Sequence, residues 1–369
     1  MNNESIVIRS FRNIKEKLFG NGKRSDVQNG ENAQLEQECF LDLLPVDKQF
    51  LIMTFLSPQD LCLLGGTSRY WRALVRDPLL WRYFLLRDMP LWQSIDHVSM
   101  PKQLEALENP LTEGSDLQKH DFMGEYLKAC PDCRSQWQQS KPTYEAVASF
   151  LKSLVVPNEP RFAMFGPGLE QLEVSLITNM MCMPHILRVE GTHQRQISGI
   201  GSGITFMFNQ SRFNILVLYS TNRTERERAR VEHAHVNSKL FIREEDQQQG
   251  KVLFRLLPHV QEVCQLVDGF IYVTNAETDR GFDGAEEARA QIRAMLQPDW
   301  GPTSRPLLVL SCVSNVWLSS QHTPCTSTAH QLELSLLPNP WMVQNTAAQT
   351  LSGLMDGFTW ILRHAGQRN

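Results

Sequence analysis

The chain has 369 residues, 42% of them hydrophobic, which leaves room for two or three domains with ordinary cores. Its net charge of −4 gives no general attraction to nucleic acid or to anionic lipid, so neither is expected as a partner. No apolar run approaches the ~18 residues of a membrane span and the amino terminus lacks a secretory apolar segment, so a cytoplasmic or nuclear protein is expected.

Residues 3–19 set Val7, Phe11, Ile14 and Leu18 at spacings of four, three and four, with Arg9, Arg12, Lys15 and Lys17 on the other sides. Such an amphipathic helix needs cover for its stripe, from a second copy in a homodimer or from another surface of the same chain. A mitochondrial presequence is the rival reading, weakened by Glu4 and Glu16. Through residue 38 the composition then turns to Asn, Gly, Gln and charge, so 1–38 reads as a helix on a flexible tether.

Within a unit at 39–90, residues 42–90 read as three or four short helices. Leu44-Pro45-Val46-Asp47 opens the first, which runs to about Leu56, and Ser57-Pro58-Gln59-Asp60 opens the second as a capping box. Gly65-Gly66 is expected to end that helix and Thr67 to cap a third carrying Tyr70, Trp71, Leu74 and Val75. Asp77-Pro78 opens a fourth with Leu80, Trp81, Phe84 and Leu85. The first helix is apolar nearly all round: Val46, Phe50 and Met53 form one stripe and Leu51, Ile52, Phe55 and Leu56 another. One stripe serves a small core, so the second implies burial against something else.

The series Leu44-Pro45, Ile52, Phe55-Leu56, Pro58, Asp60-Leu61, Arg69, Trp71, Leu74, Asp77 and Leu80-Trp81 resembles an F-box. That resemblance implies docking on the small S-phase-kinase-associated adaptor, which joins F-box proteins to the cullin scaffold of a ubiquitin ligase. The implied adaptor-binding residues are Leu44, Pro45, Leu51, Ile52, Phe55, Leu56, Leu61, Leu80 and Trp81.

Residues 91–158 show an interrupted helical pattern, with Phe122–Ala129 and Pro142–Val155 the clearest runs, and read as a helical connector. Cys130-Pro-Asp-Cys133 within it has zinc-knuckle spacing, but no second pair or His-x3-His cluster completes four ligands, so no metal is expected. The eight cysteines are scattered, several in apolar runs, as in a protein whose thiols stay reduced.

From 159 to 366 short apolar runs alternate with helical stretches. Arg161–Phe165, Ile204–Phe208, Phe213–Tyr219, Gly269–Thr274 and Pro306–Ser311 are expected strands. Leu169–Met181, Thr224–Phe241, Leu257–Val267, Ala285–Leu296, Ala329–Leu336 and Ala347–His364 are expected helices. Buried strands alternating with helices predict a mainly parallel α/β sheet, because parallel neighbours need crossovers. His233 and His235 fall in a run of alternating charge that reads as a solvated face.

Phe165-Gly166-Pro167-Gly168 stands where a nucleotide-binding α/β domain cradles phosphate. Counting the P-loop from Gly166, Leu172 falls at the lysine and Glu173 at the magnesium ligand, so charge attraction is replaced by nothing and by repulsion. The strand Phe213–Tyr219 is followed by Ser220-Thr-Asn-Arg, without Asp-x-x-Gly, and Pro306–Ser311 by Cys312-Val-Ser-Asn315, without Asn-Lys-x-Asp. No cofactor is expected.

The half as a whole resembles a small-GTPase fold stripped of its nucleotide site, and the chain resembles F-box proteins that carry such a domain. The resemblance rests on Pro160–Gly168, Ile200-Gly-Ser-Gly203, Phe213-Asn-Ile-Leu and Asp268-Gly-Phe-Ile-Tyr272. It implies α+β multidomain architecture and a non-catalytic receptor that forms homodimers and takes targets through the GTPase-like domain. The targets linked with the family are a telomere-repeat-binding factor and D-type cyclins. In small-GTPase strand order Ile204, Thr205, Phe206, Met207 and Phe208 form an outer strand, an edge to which an extended target could add. The opposite edge, near Trp341–Gln344, is the alternative. Rival functions are a divergent nucleotide-dependent switch and a scaffold outside any ligase.

Overall fold

The computed structural model describes residues 40–102, 120–134, 159–197, 201–220, 239–245, 252–277, 284–315 and 322–365. Two compact units divide them: the described residues of Met1–Met89 and Pro101–Cys130 make one, those of Pro90–Met100 and Pro131–Asn369 the other. Residues 91–100, expected as the start of a connector, therefore fall within the second unit, as does Pro90, expected as the end of the F-box.

The first unit holds α1 (Phe40–Leu43), α2 (Val46–Phe55), α3 (Pro58–Thr67), α4 (Arg69–Val75), α5 (Pro78–Asp88) and α6 (Phe122–Ala129). The Ser57 hydroxyl accepts the Asp60 N–H at 3.1 Å and donates to the Asp60 carboxylate at 2.6 Å, which starts α3 as expected. Asp77 starts α5 by accepting the Leu79 N–H at 2.8 Å. Two local expectations are corrected. Gly65-Gly66 does not end α3, which runs on to Thr67; glycine weakens a helix interior by only ~1 kcal/mol, and the turn is packed beside Val75. Ser68 rather than Thr67 caps α4, accepting the Trp71 N–H at 3.2 Å, while Thr67 donates back to the Leu64 carbonyl.

The second unit runs β1 (Ser94–Asp96), β2 (Arg161–Phe165), α7 (Gly168–Gln171), α8 (Leu176–Cys182), β3 (Arg188–Ile197), β4 (Gly201–Phe208), β5 (Ser211–Leu218), β6 (Phe241–Glu245) and β7 (Val252–Leu256). It continues with α9 (Pro258–Leu266), β8 (Gly269–Asn275), α10 (Ala285–Met295), β9 (Leu307–Val313), α11 (Cys325–Gln331), β10 (Trp341–Ala347) and α12 (Leu354–Ala365). Eight strands form one sheet in the order β1-β10-β9-β8-β2-β5-β4-β3, and β6 with β7 forms a separate hairpin. Strands β10, β9, β8, β2 and β5 are parallel neighbours; β1, β4 and β3 join antiparallel. Every residue of β9 and β10 is buried, as a parallel sheet covered on both faces requires. Leu354, Phe358 and Ile361 of α12 close one face over Phe162, Phe213 and Leu308.

Neither predicted edge is an edge. Ile204–Phe208 lies within β4, which is hydrogen-bonded to β5 on one side and to β3 on the other. Strands β4 and β5 are joined by Asn209 and Gln210, both at positive φ (47° and 63°), the conformation of a tight two-residue hairpin turn. At the other side Trp341–Gln344 is covered by β1, with Ser94 opposite Gln344 and Asp96 opposite Met342. Arg134 pins that short strand, donating to the Asp96 carboxylate at 3.2 Å, the Ser99 hydroxyl at 2.9 Å and the Ser94 carbonyl at 3.1 Å. Four helix expectations also change. Leu169–Met181 bends at 172–174 into α7 and α8, Ala329–Leu336 is α11 followed by a 3-10 turn at Leu334–Leu336, and Phe241 belongs to β6. The expected closing helix Ala347–His364 is shorter at its start, because Ala347 ends β10 and α12 starts only at Leu354.

Between β2 and α7, Gly166 adopts a φ of +122°, and a Cβ there would lie 2.5 Å from the Val273 carbonyl oxygen of β8. Both the conformation and the close approach demand glycine. Gly166→Ala is expected to lose more than the ~1–3 kcal/mol of a strained backbone and to lower the melting temperature by several degrees in a thermal scan.

Candidate docking surfaces

The helical unit buries Met53, Leu61, Leu74, Leu80, Trp81, Phe84 and Leu85 completely. Trp81 satisfies its indole N–H by donating to the Val75 carbonyl at 2.6 Å. Helix α6 packs on α5 through Tyr126, whose ring lies 5.4 Å from that of Trp81 and whose hydroxyl donates to Asp88 at 2.7 Å. Burial first, and then that bond to Asp88, push the Tyr126 phenol far above its ordinary value. The start of α2 is tied inward: Gln49 donates to the Leu41 carbonyl at 2.8 Å and accepts from the Tyr70 hydroxyl. Its end is held by Arg87, which donates to the Thr54 carbonyl at 2.7 Å.

Against this frame the second stripe of α2 faces outward. Phe55 is 82% exposed and Leu51 51%, with Ile52 beside them, and Leu43 before the helix is 60% exposed. Leu63 of α3, which the sequence did not single out, is 72% exposed. Pro45 is exposed and Leu44 and Leu56 are half-buried. Leu61, Leu80 and Trp81 are a correction: all three are fully buried in the unit's own core, so they shape the surface from behind and do not form it. The family pattern mixes inward and outward positions, and only the folded unit separates them.

Strand β3 forms the other surface. It is ten residues long, and among the described residues no strand pairs with its outer side. Its ladder to β4 is irregular between Val189 and Gly191 and again between His193 and Ile197. At its start Arg188 meets Glu190 at 3.3 Å, and Arg212 of β5 reaches Glu159 at 3.1 Å. The sequence signal for this strand was faint, because an edge strand carries polar residues on a pattern that does not alternate.

The residues that follow the Gly166 turn bond to other parts of the same chain. Leu172 is buried and Glu173 is exposed, its N–H donating to the Ser314 hydroxyl at 3.1 Å, while the Ser314 N–H donates to Glu277 at 2.7 Å. Among the described residues no three His, Cys, Asp or Glu side chains are grouped to hold a metal, and no helix is long and apolar enough to cross a membrane. Burial raises the Cys264 and Cys325 thiols to about 12, which suits packing rather than nucleophilic roles. Val7, Phe11, Ile14 and Leu18 lie outside the described residues.

A family model described as F-box-like matches residues 41–87. A protein of Bos taurus called F-box only protein 4 is 45% identical over 370 residues, covering 99% of this chain and 94% of its own length. The chain belongs to the F-box only protein 4 family. Its Homo sapiens member is 50% identical over 330 residues, 89% of this chain and 84% of the relative. Among solved structures, the Arl6 BBS3 small GTPase from Trypanosoma brucei with bound GppNp is 14% identical with a TM-score of 0.34, covering 57% of this chain and 100% of its own. So slight a likeness carries no argument; the family match and the order of helices and strands show the expected helical F-box followed by a mainly parallel α/β sheet.

For this F-box only protein 4 family member, exposure separates surface from core in a way that unfolding can check. Trp81→Ala is expected to lose ~3–5 kcal/mol in denaturant unfolding of the helical unit. Phe55→Ala should stay within ~0.5 kcal/mol of the parent, as a surface change does.

Proposed function

We propose that the chain is the substrate-recognition subunit of a cullin-based SCF ubiquitin ligase: the F-box takes the Skp1-type adaptor, the α/β unit takes the target, and partner subunits supply the transferase chemistry. The observation that carries this reading is the outward stripe of α2, Leu51, Ile52 and Phe55, on an F-box whose own core is complete without it. A solvent-facing Phe next to two exposed aliphatics is the composition of an interface anchor. The docking set is therefore Leu44, Pro45, Leu51, Ile52, Phe55 and Leu56, with Leu43 and Leu63 added by their exposure.

Truncating such anchors removes ~2–4 kcal/mol, or roughly 30-fold to 1000-fold in affinity. Leu51→Ala with Phe55→Ala, and separately Leu44→Ala with Pro45→Ala, should each weaken adaptor binding by that factor in titration calorimetry. Parent-like affinity in both double variants would remove the docking face from the reading.

The target is taken at the outer side of β3, since an unpaired strand edge offers a row of backbone donors and acceptors to an extended segment. A telomere-repeat-binding factor and D-type cyclins are the targets the family resemblance suggests. Successive N–H groups of a strand point to opposite sides, so of Thr192→Pro and His193→Pro one removes an outward donor and the other a donor to β4. The outward variant should keep adaptor binding and lose target ubiquitination in a reconstituted assay; full activity in both speaks against the edge.

Self-association through Val7, Phe11, Ile14 and Leu18 completes the reading, which is of a homodimer that works in the cytoplasm or nucleus. Removing residues 1–20 should convert a dimer to a monomer in sedimentation, and a monomeric full-length chain would contradict the idea.

A further inference from the structure

Glu170 sits in the first turn of α7, directly after the Gly166 turn, and is 6% exposed. Burying a carboxylate is costly unless donors receive it. Both of its oxygens are received by one residue: the Ser220 N–H donates to Oε1 at 2.6 Å and the Ser220 hydroxyl donates to Oε2. Ser220 follows β5, which lies next to β2 in the sheet, so the bond ties the exits of two neighbouring parallel strands. The same residue has a third bond. Its carbonyl accepts the Lys239 N–H at 2.7 Å, just before β6, and Leu240 then accepts the Leu257 N–H after β7. One carboxylate thus anchors the end of β5 and, through Ser220, the start of the β6–β7 hairpin.

We propose that Glu170 is a resident anion that does the fastening a bound phosphate does in nucleotide-dependent α/β domains. In those domains backbone N–H groups beyond a strand end close on a phosphate, and the segment is ordered or released as that phosphate comes and goes. Here the anion is part of the chain and sits in the turn that follows β2, where Leu172 and Glu173 leave no provision for nucleotide. The exit of β5 is held in one arrangement with no ligand, and the fastening cannot be switched by hydrolysis. A neutral amide would keep an acceptor but lose the charge that makes both donors bind strongly. The inference is independent of the ligase reading, since it concerns only contacts inside the α/β unit.

Native-state hydrogen exchange on the full-length chain tests it, read at the Ser220 and Lys239 amides with β8 and β9 amides as the reference. Glu170→Ala should speed exchange at both amides by about tenfold to a hundredfold, the loss of a hydrogen bond to a charged group, and leave the reference slow. Glu170→Gln and Ser220→Ala, each keeping the Ser220 N–H with an acceptor for it, should fall between parent and Glu170→Ala, and they carry the test if that variant does not fold. In the parent, ~1 mM magnesium-GTP should leave Ser220 and Lys239 unchanged, because a site without lysine or metal ligand has no appreciable affinity. Unchanged exchange in the variants, acceleration spread equally over β8 and β9, or slowing of Ser220 by magnesium-GTP would each overturn the proposal.

Discussion

Helix α2 carries more apolar surface than its own unit can cover. Met53 and Val46 face a core that Trp81, Phe84, Leu80 and Leu61 already fill, so Leu51, Ile52 and Phe55 are left in water. A helix turns about 100° per residue, so α2 cannot turn both of its apolar stripes toward one core. Gln49 and Arg87 fix the two ends of α2 from behind. The unit is rigid where it is buried and apolar where it is bare, and a partner that covers the stripe gains affinity without first ordering the helix.

The α/β unit obeys the same logic with strands. Five parallel strands must be covered on both faces, which commits the helices to the faces and leaves the two sides of the sheet as the remaining problem. One side is dealt with by β1, three residues held on β10 by the Arg134 guanidinium. The other ends in β3, longer and irregularly paired. The Gly166 turn packs closely on Val273, and just after it Glu170 accepts from the Ser220 N–H.

How far the sequence could be read depended on how each element is buried. Strand β2 was legible to the residue, Arg161–Phe165, because a strand buried on both faces is a continuous apolar run. The starts of α3 and α5 were legible from Ser57-Pro58 and Asp77-Pro78, the start of α4 only to within one residue, and the bare stripe of α2 from its surplus of apolar positions. Strand β3 was not, since Arg188-Val-Glu-Gly-Thr lacks both an apolar run and a clean alternation, and without it Ile204–Phe208 looked like the edge. Strand β1 is too short to announce itself, and its partner lies some 250 residues away in the chain, as with Ser94 and Gln344. An apolar residue at a family position says nothing of the direction it faces, so Leu61, Leu80 and Trp81 fit the docking pattern yet lie in the core, while the exposed Leu63 falls outside that pattern. The Glu170 to Ser220 bond joins residues far apart in sequence, and no spacing rule announces such a pair.

The outward stripe of α2 is the proposed seat of the ligase adaptor. The most direct measurement is a hydrogen-exchange footprint of the purified adaptor on the full-length chain. Exchange in peptides spanning 43–56 and the start of α3 should slow once the adaptor is added, with β3 unaffected. A complex that forms while these peptides exchange as in the free chain would contradict it.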